Sequence, residues 1–205
     1  MKPKNSPQLR ARTWKSRRFN VDFPETAYWL SQVVPAPLDF KSVDEWKIGT
    51  ASLDGDESLA VTANFGDVDT GLTANDSGLN VRCELLTVAR TGEAEVATAI
   101  RAAADKLHVA QGVIPAQPGI FLPNLVDKTV LEDHVTVRHG LLIAPYLWGG
   151  QTPQVEEERR QTLVLQMVLL TDSEYAFALE EGVGAMQQAV AEQGINILDW
   201  SREDS

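Results

Sequence analysis

Cysteine is almost absent from this chain. Cys83 stands alone among 205 residues, which excludes an intramolecular disulfide and any cysteine-built metal cluster. Histidine is scarce too: His108, His134 and His139 fall at no metal-ligand spacing, so no metal site is readable and no cofactor is expected. Long apolar runs are missing. The best candidate, Leu163 to Leu170, falls well short of the roughly 20 residues that a bilayer span needs. The basic N-terminal stretch lacks the apolar core of a secretory signal. These absences predict a cytoplasmic protein with no membrane anchor. Phosphate-binding loops, Gly-x-Gly-x-x-Gly sequences and Gly-x-Ser-x-Gly elbows are also lacking.

What is present is ordinary for a globular protein, with 43% hydrophobic and 23% charged residues. The net charge of −11 conceals an asymmetry. Seven of the 18 basic residues lie in residues 1–18 with no acid among them, which leaves 11 basic against 29 acidic residues, a charge of −18, in the remainder. The sequence therefore divides into a basic arm, 1–18, and a single acidic domain, 19–205. An acidic body repels nucleic acid and steers basic partners toward itself. The arm has two readings: a tail that touches phosphate or anionic lipid, giving at most weak nucleic-acid binding, or a solvated arm lying against its own acidic body. Pro3 and Pro7 argue against a continuous basic helix there.

Along the chain, a short helix is predicted from Pro24 to about Leu30 and ends before Pro35-Ala36-Pro37. Two strands, Trp46–Leu53 and Leu59–Phe65, flank an Asp-Gly turn at 54–58. Residues 66–78 form a loop, 79–89 a strand, and a helix from about Glu93 carries the stripe Val96, Ile100, Ala103 and Leu107, with Gly112 past its end. Residues 112–124, punctuated by proline and glycine, form an extended connection holding a short strand. Strands near 140–145 and 163–170 bracket a loop at 148–153. The near-continuous apolar run of the second implies burial on both faces and a central position in the sheet. Thr171 and Glu174 then stand at capping-box spacing, and Tyr175, Leu179, Val183, Met186 and Val190 predict one long helix ending at Gly194. The class is α+β, a mixed sheet with two long helices over one face or its ends.

Residues able to do chemistry are not grouped. Strand alternation puts Cys83 with Leu79, Val81 and Leu85 on one face, a small core residue and not a nucleophile. Arg82 and Glu84 share the other face, as a structural ion pair or as a polar anchor in an exposed groove. His139 reads as a strand-edge polar residue and His108 as a cation at a helix end. Glu156, Glu157 and Glu158, followed by Arg159 and Arg160, read as a solvated and partly self-neutralised approach to a strand, or else as a docking site. With Trp148, and with Asp67 and Asp69 of the acidic loop, they are the candidate partner-binding residues.

A buried strand, a Thr-x-x-Glu turn and a helix with a glycine in its middle are followed here by Asp199-Trp200-Ser201-Arg202. This series resembles the suppressor-of-fused family. The likeness extends upstream through the strand Arg82–Arg90, the helix 93–110, the loop Gly112-Val113-Ile114-Pro115 and the strand 141–145, and covers about 82–203. The resemblance implies a fold and gives Thr171, Glu174, Asp199 and Arg202 structural capping or clamping roles. It also implies a bacterial-type, single-domain member that binds protein and is not an enzyme: bacterial members of this size are similar to immunity proteins that neutralise toxins, while eukaryotic members restrain a transcription factor by holding a short segment of it. The leading expectation is a stoichiometric inhibitor that occludes a basic, toxin-like protein partner. A regulatory scaffold docking a cellular peptide, and an enzyme with a carboxylate-based site, stand as alternatives. The oligomeric state is not legible.

Overall fold

The computed structural model describes residues 14–15, 23–149 and 151–204. The basic arm, apart from the backbone of Trp14 and Lys15, lies outside the described residues. In chain order the elements are β1 (Trp14–Lys15), α1 (Phe23–Val33), β2 (Asp39–Val43), β3 (Trp46–Ser52), β4 (Ser58–Thr62), β5 (Asn80–Ala89), α2 (Glu93–Ala110), β6 (Phe121–Leu122), β7 (His139–Ile143), β8 (Gln154–Glu156), β9 (Arg160–Leu170), α3 (Asp172–Glu181) and α4 (Val183–Glu192). Among the described residues, nine strands join in one mixed sheet with the path β1-β8-β9-β5-β4-β3-β2, and β7 pairs with both β9 and β6.

The apolar run of β9 is central, as its composition requires. It pairs in parallel with β5 over Arg160–Met167, and antiparallel with β8 at one end and β7 at the other. Register sets Cys83 opposite Leu163 and Leu85 opposite Leu165. Because side chains alternate, this face of the sheet is shared with Met167 and Leu169, and it packs beneath α2 through Val96, Ile100, Ala103 and Leu107. Val164, Leu86, Val88, Leu59 and Val61 face the other way, against Trp29, Leu30 and Val34 in and just after α1. On that second face, α3 and α4 cover Leu141, Val168 and Leu170. Helices thus lie on both faces and not on one, because β9 and β5 are apolar on both sides and each side must be removed from water.

Other departures from expectation have local causes. The predicted C-terminal helix is two helices, broken at Gly182, whose φ of +91° is one that side-chain-bearing residues rarely adopt. α3 buries Ala178 beside the partly buried Tyr175 and leaves Leu179 59% exposed, while Met186 on α4 is buried. α1 is a turn longer than predicted. β4 stops at Thr62, and Phe65–Asp67 form a 3₁₀ turn instead of strand. β2, not foreseen, makes a hairpin with β3 in which Phe40 lies so close to Gly49 that a Cβ there would stand 2.6 Å from its ring.

Candidate partner-binding face

The site begins with a buried carboxylate. Glu84 on β5 shares the strand face of Leu86 and Val88 and is 1% exposed. Its Oε2 accepts hydrogen bonds from the Thr62 hydroxyl (2.6 Å) and the Phe65 N–H (3.0 Å), and its Oε1 from the Gly66 N–H (3.0 Å). Thr62 in turn accepts from the Leu85 N–H. Burial pushes the Glu84 carboxyl up to about 7, against the lowering effect of these three hydrogen bonds, and the nearby Asp67 charge adds to the rise. Glu84 is therefore neither the exposed anchor nor an ion pair with Arg82. It pins the 3₁₀ turn from which the acidic loop departs.

That loop carries Asp67 and Asp69, whose side chains are 76% and 63% exposed. Arg160 Nη1 donates to Asp67 Oδ1 (3.2 Å), and its Nε donates to Glu157, so one guanidinium ties the Glu156–Glu158 turn to the Asp67 loop. Arg82 Nη1 holds Asp69 at 2.9 Å. Beside them lies a cleft of about 470 Å³, lined by Glu45, Trp46, Asn64, Asp67, Asp69 and His108. The structure thus brings together Asp67, Asp69 and Glu157. Glu158 is exposed at the hairpin turn, Glu156 is half-buried on β8, and the Glu157 side chain is only 7% exposed. The run is less solvated than its composition suggests, because Glu157 is drawn inward by Arg160.

Trp148 does not join this group. It is 4% exposed among Trp29, Leu30 and Val34, and its indole N–H donates to the Val33 carbonyl at 2.8 Å. The glycine-flanked loop that suggested an exposed anchor is instead nailed down by that ring. Sequence reasoning also missed Arg160 as the connector, and Glu45 and His108 as cleft residues. Arg160 could be seen only as part of a charge run, since its partners lie 93 and three residues away. Cys83 is sealed at 1% exposure, and burial pushes its thiol well above the usual range, which makes it inert. His139 is buried; its Nδ1 accepts from the Asn124 N–H and its Nε2 lies 2.7 Å from Asp172 Oδ1, with the ring stacked on Tyr175. No group of three or more candidate metal ligands occurs among the described residues. Nor is any helix among them long and apolar enough to cross a membrane.

No protein-family model and no curated protein matches the chain. Solved structures do. A suppressor-of-fused homologue from Neisseria gonorrhoeae FA 1090 superposes with a TM-score of 0.61 at 14% identity, over 90% of this chain and 97% of that one. A crystal structure of the Sufu–Fu complex gives a TM-score of 0.54 at 14% identity, over 87% of this chain and 80% of that one. The fold is suppressor-of-fused-like.

Within this suppressor-of-fused-like fold, the residues that carried the resemblance do structural work. Thr171 Oγ1 accepts from the Glu174 N–H, and Glu174 Oε2 accepts from the Thr171 N–H, a complete capping box. Glu174 also receives Arg202, which is 8% exposed: Nε donates to Oε1 (2.8 Å) and Nη2 to Oε2. The remaining Arg202 donors reach the carbonyls of Leu169, Ile197 and Asp199. Asp199 offers Arg202 its carbonyl, while its carboxylate accepts from the Ser201 N–H. The four positions clamp the C-terminal segment onto the start of α3.

Proposed function

We propose that this chain is a non-enzymatic protein-binding domain that takes a basic partner on the face formed by Glu45, Asp67, Asp69 and the Glu156–Glu158 turn, and neutralises it by occlusion. The observation that carries this reading is the Arg160 bridge. It ties the Glu157 turn to the Asp67 loop that lines the cleft, so the exposed Asp67 carboxylate is held in place before a partner arrives. The exposed carboxylates of Asp67 and Asp69 each keep lone pairs for a second cation while bonded to Arg160 and Arg82. Long-range attraction from a strongly acidic body would raise the encounter rate. Against a carboxylate enzyme stands the seclusion of Glu84: the acid with a proton affinity suited to catalysis near neutrality is shielded from any substrate.

A toxin-like partner is the finer form of this reading, and a regulatory scaffold is the second. The likeness to a chain crystallised in the Sufu–Fu complex supports a protein partner in either case. Affinity capture of the tagged protein from its own cell lysate at low and moderate salt, followed by expression of each retained protein alone, separates them. A single stoichiometric partner that is toxic by itself supports inhibition, and a harmless one supports the scaffold. With the partner in hand, Asp67→Asn with Asp69→Asn is expected to slow association at least several-fold at low salt and to flatten its salt dependence. An association rate that ignores both the substitutions and the salt would remove this face from the interface.

A further inference from the structure

Behind the 3₁₀ turn lies a small, partly enclosed cavity between α1, β5 and β9, lined by Thr26, Asn64, Gly66, Asp67, Glu84 and Thr162, with Arg160 at its edge. It leaves about 10 Å³ for the centre of a water-sized sphere, which is about the least that holds one water molecule. Two of its polar groups are incompletely used. The Thr162 hydroxyl is buried in a residue 4% exposed and has no hydrogen-bond partner among the described residues. Glu84 accepts three hydrogen bonds, two at Oε2 and one at Oε1, against roughly four lone-pair directions in a carboxylate, so Oε1 has one direction left. Register places the two side chains on one face: Arg82 pairs with Thr162 and Glu84 with Val164, so Thr162 is the diagonal neighbour of Glu84 across adjacent strands. A Cβ built on Gly66 would meet Glu84 Oε1 at 3.0 Å and the Thr162 methyl at 3.5 Å, so glycine keeps the space between them open.

We propose that one water molecule occupies this cavity and bridges the Thr162 hydroxyl to the Glu84 carboxylate. Polar cavities of this size are hydrated, whereas dry ones are lined by apolar groups. The water completes the hydrogen bonding of Glu84 in either charge state, donating to Oε1 when the acid is ionised and accepting from it when the acid is protonated. It thereby becomes part of the anchor that holds the Phe65–Asp67 turn and, through it, the acidic loop. The charged groups facing this carboxyl are Asp67 from the turn and Arg160 from β9, with Arg82 two residues away on its own strand.

The test is a crystal structure at a resolution that shows ordered solvent, paired with titration of Glu84 by carboxyl carbon NMR, for the native chain, Thr162→Val and Thr162→Ser. The expected result is a single solvent peak about 2.6 to 3.2 Å from both Thr162 Oγ1 and Glu84 Oε1. It should persist in Thr162→Ser and disappear in Thr162→Val, with the Glu84 midpoint rising in Thr162→Val alone. An empty cavity in the native chain, where other buried waters are visible, would overturn the proposal. So would a side chain filling it, or a peak that survives Thr162→Val with an unchanged midpoint. Should Thr162→Val fail to fold, the native and Thr162→Ser crystals still decide whether the bridge exists.

Discussion

Arg202 and Glu84 are both buried in this fold, yet the chain accommodates their charge in different ways. Around Arg202, all five guanidinium N–H groups are used, two of them on the carboxylate of Glu174 and three on main-chain carbonyls. Around Glu84, among the described residues, the hydrogen-bonding shell holds two peptide N–H groups and a hydroxyl and no counter-ion. Neutral dipoles offset less of the desolvation cost than an opposite charge does. Glu84 accordingly holds its proton up to about pH 7, which makes the turn it anchors sensitive to pH. Arg202 carries its counter-ion with it. The difference matters for the proposed function because the titrating anchor lies beneath the acidic loop, and the ion-paired clamp lies at the start of α3.

The largest effect should come from breaking the clamp. Arg202→Met leaves Glu174 buried without its partner and is expected to cost about 3–5 kcal/mol in chemical denaturation. Adding Glu174→Gln should cost much less than the sum of the two single changes, because the pair is coupled. Additive losses would mean that the ion pair is not the unit of stability.

Next in size is a pH dependence at Glu84. Between the ordinary carboxyl value of 4.5 and about 7, the folded state holds a proton that the unfolded chain has released. The contribution of Glu84 is therefore complete below pH 4.5 and is lost as pH rises through 7, a change of roughly 3 kcal/mol. Glu84→Gln should flatten the stability profile across that window, and an unaltered slope would show that Glu84 is ionised throughout.

The smallest change sharpens the comparison from within the clamp. Thr171→Ala removes one half of the capping box and should cost about 1 kcal/mol, without altering the pH profile. A shift in that profile would mean that the two regions communicate.

The parts of this protein that were legible in sequence are those whose partners are near in sequence. Thr171 and Glu174 are three residues apart, and the stripe of α2 repeats within each turn. Arg202 was given a clamping role only by the family resemblance, and Glu174 as its partner was not foreseen. The loop near Trp148 misled because glycines on one side and a proline on the other describe backbone freedom and say nothing of where an indole ring goes. The ring fills space against residues more than 100 positions earlier and donates to Val33. The single long helix misled in the opposite way. Its apolar spacing ran straight through Gly182, where the helix breaks, and α3 buries Ala178 and not Leu179.

By itself the sequence determined that β9 is central, that α2 buries one stripe, that α3 begins at a capping box, and that Cys83 belongs to the core. Each follows from periodicity or from local hydrogen bonding, which act over a few residues and survive any arrangement of the rest. Only the tertiary structure decided that helices cover both faces, that Arg160 joins the Glu157 turn to the Asp67 loop, and that Glu84 lies sealed beneath them. Those outcomes depend on strand register and on the desolvation of each group. Both are properties of the assembled sheet, in which residues 18 to 115 positions apart become neighbours.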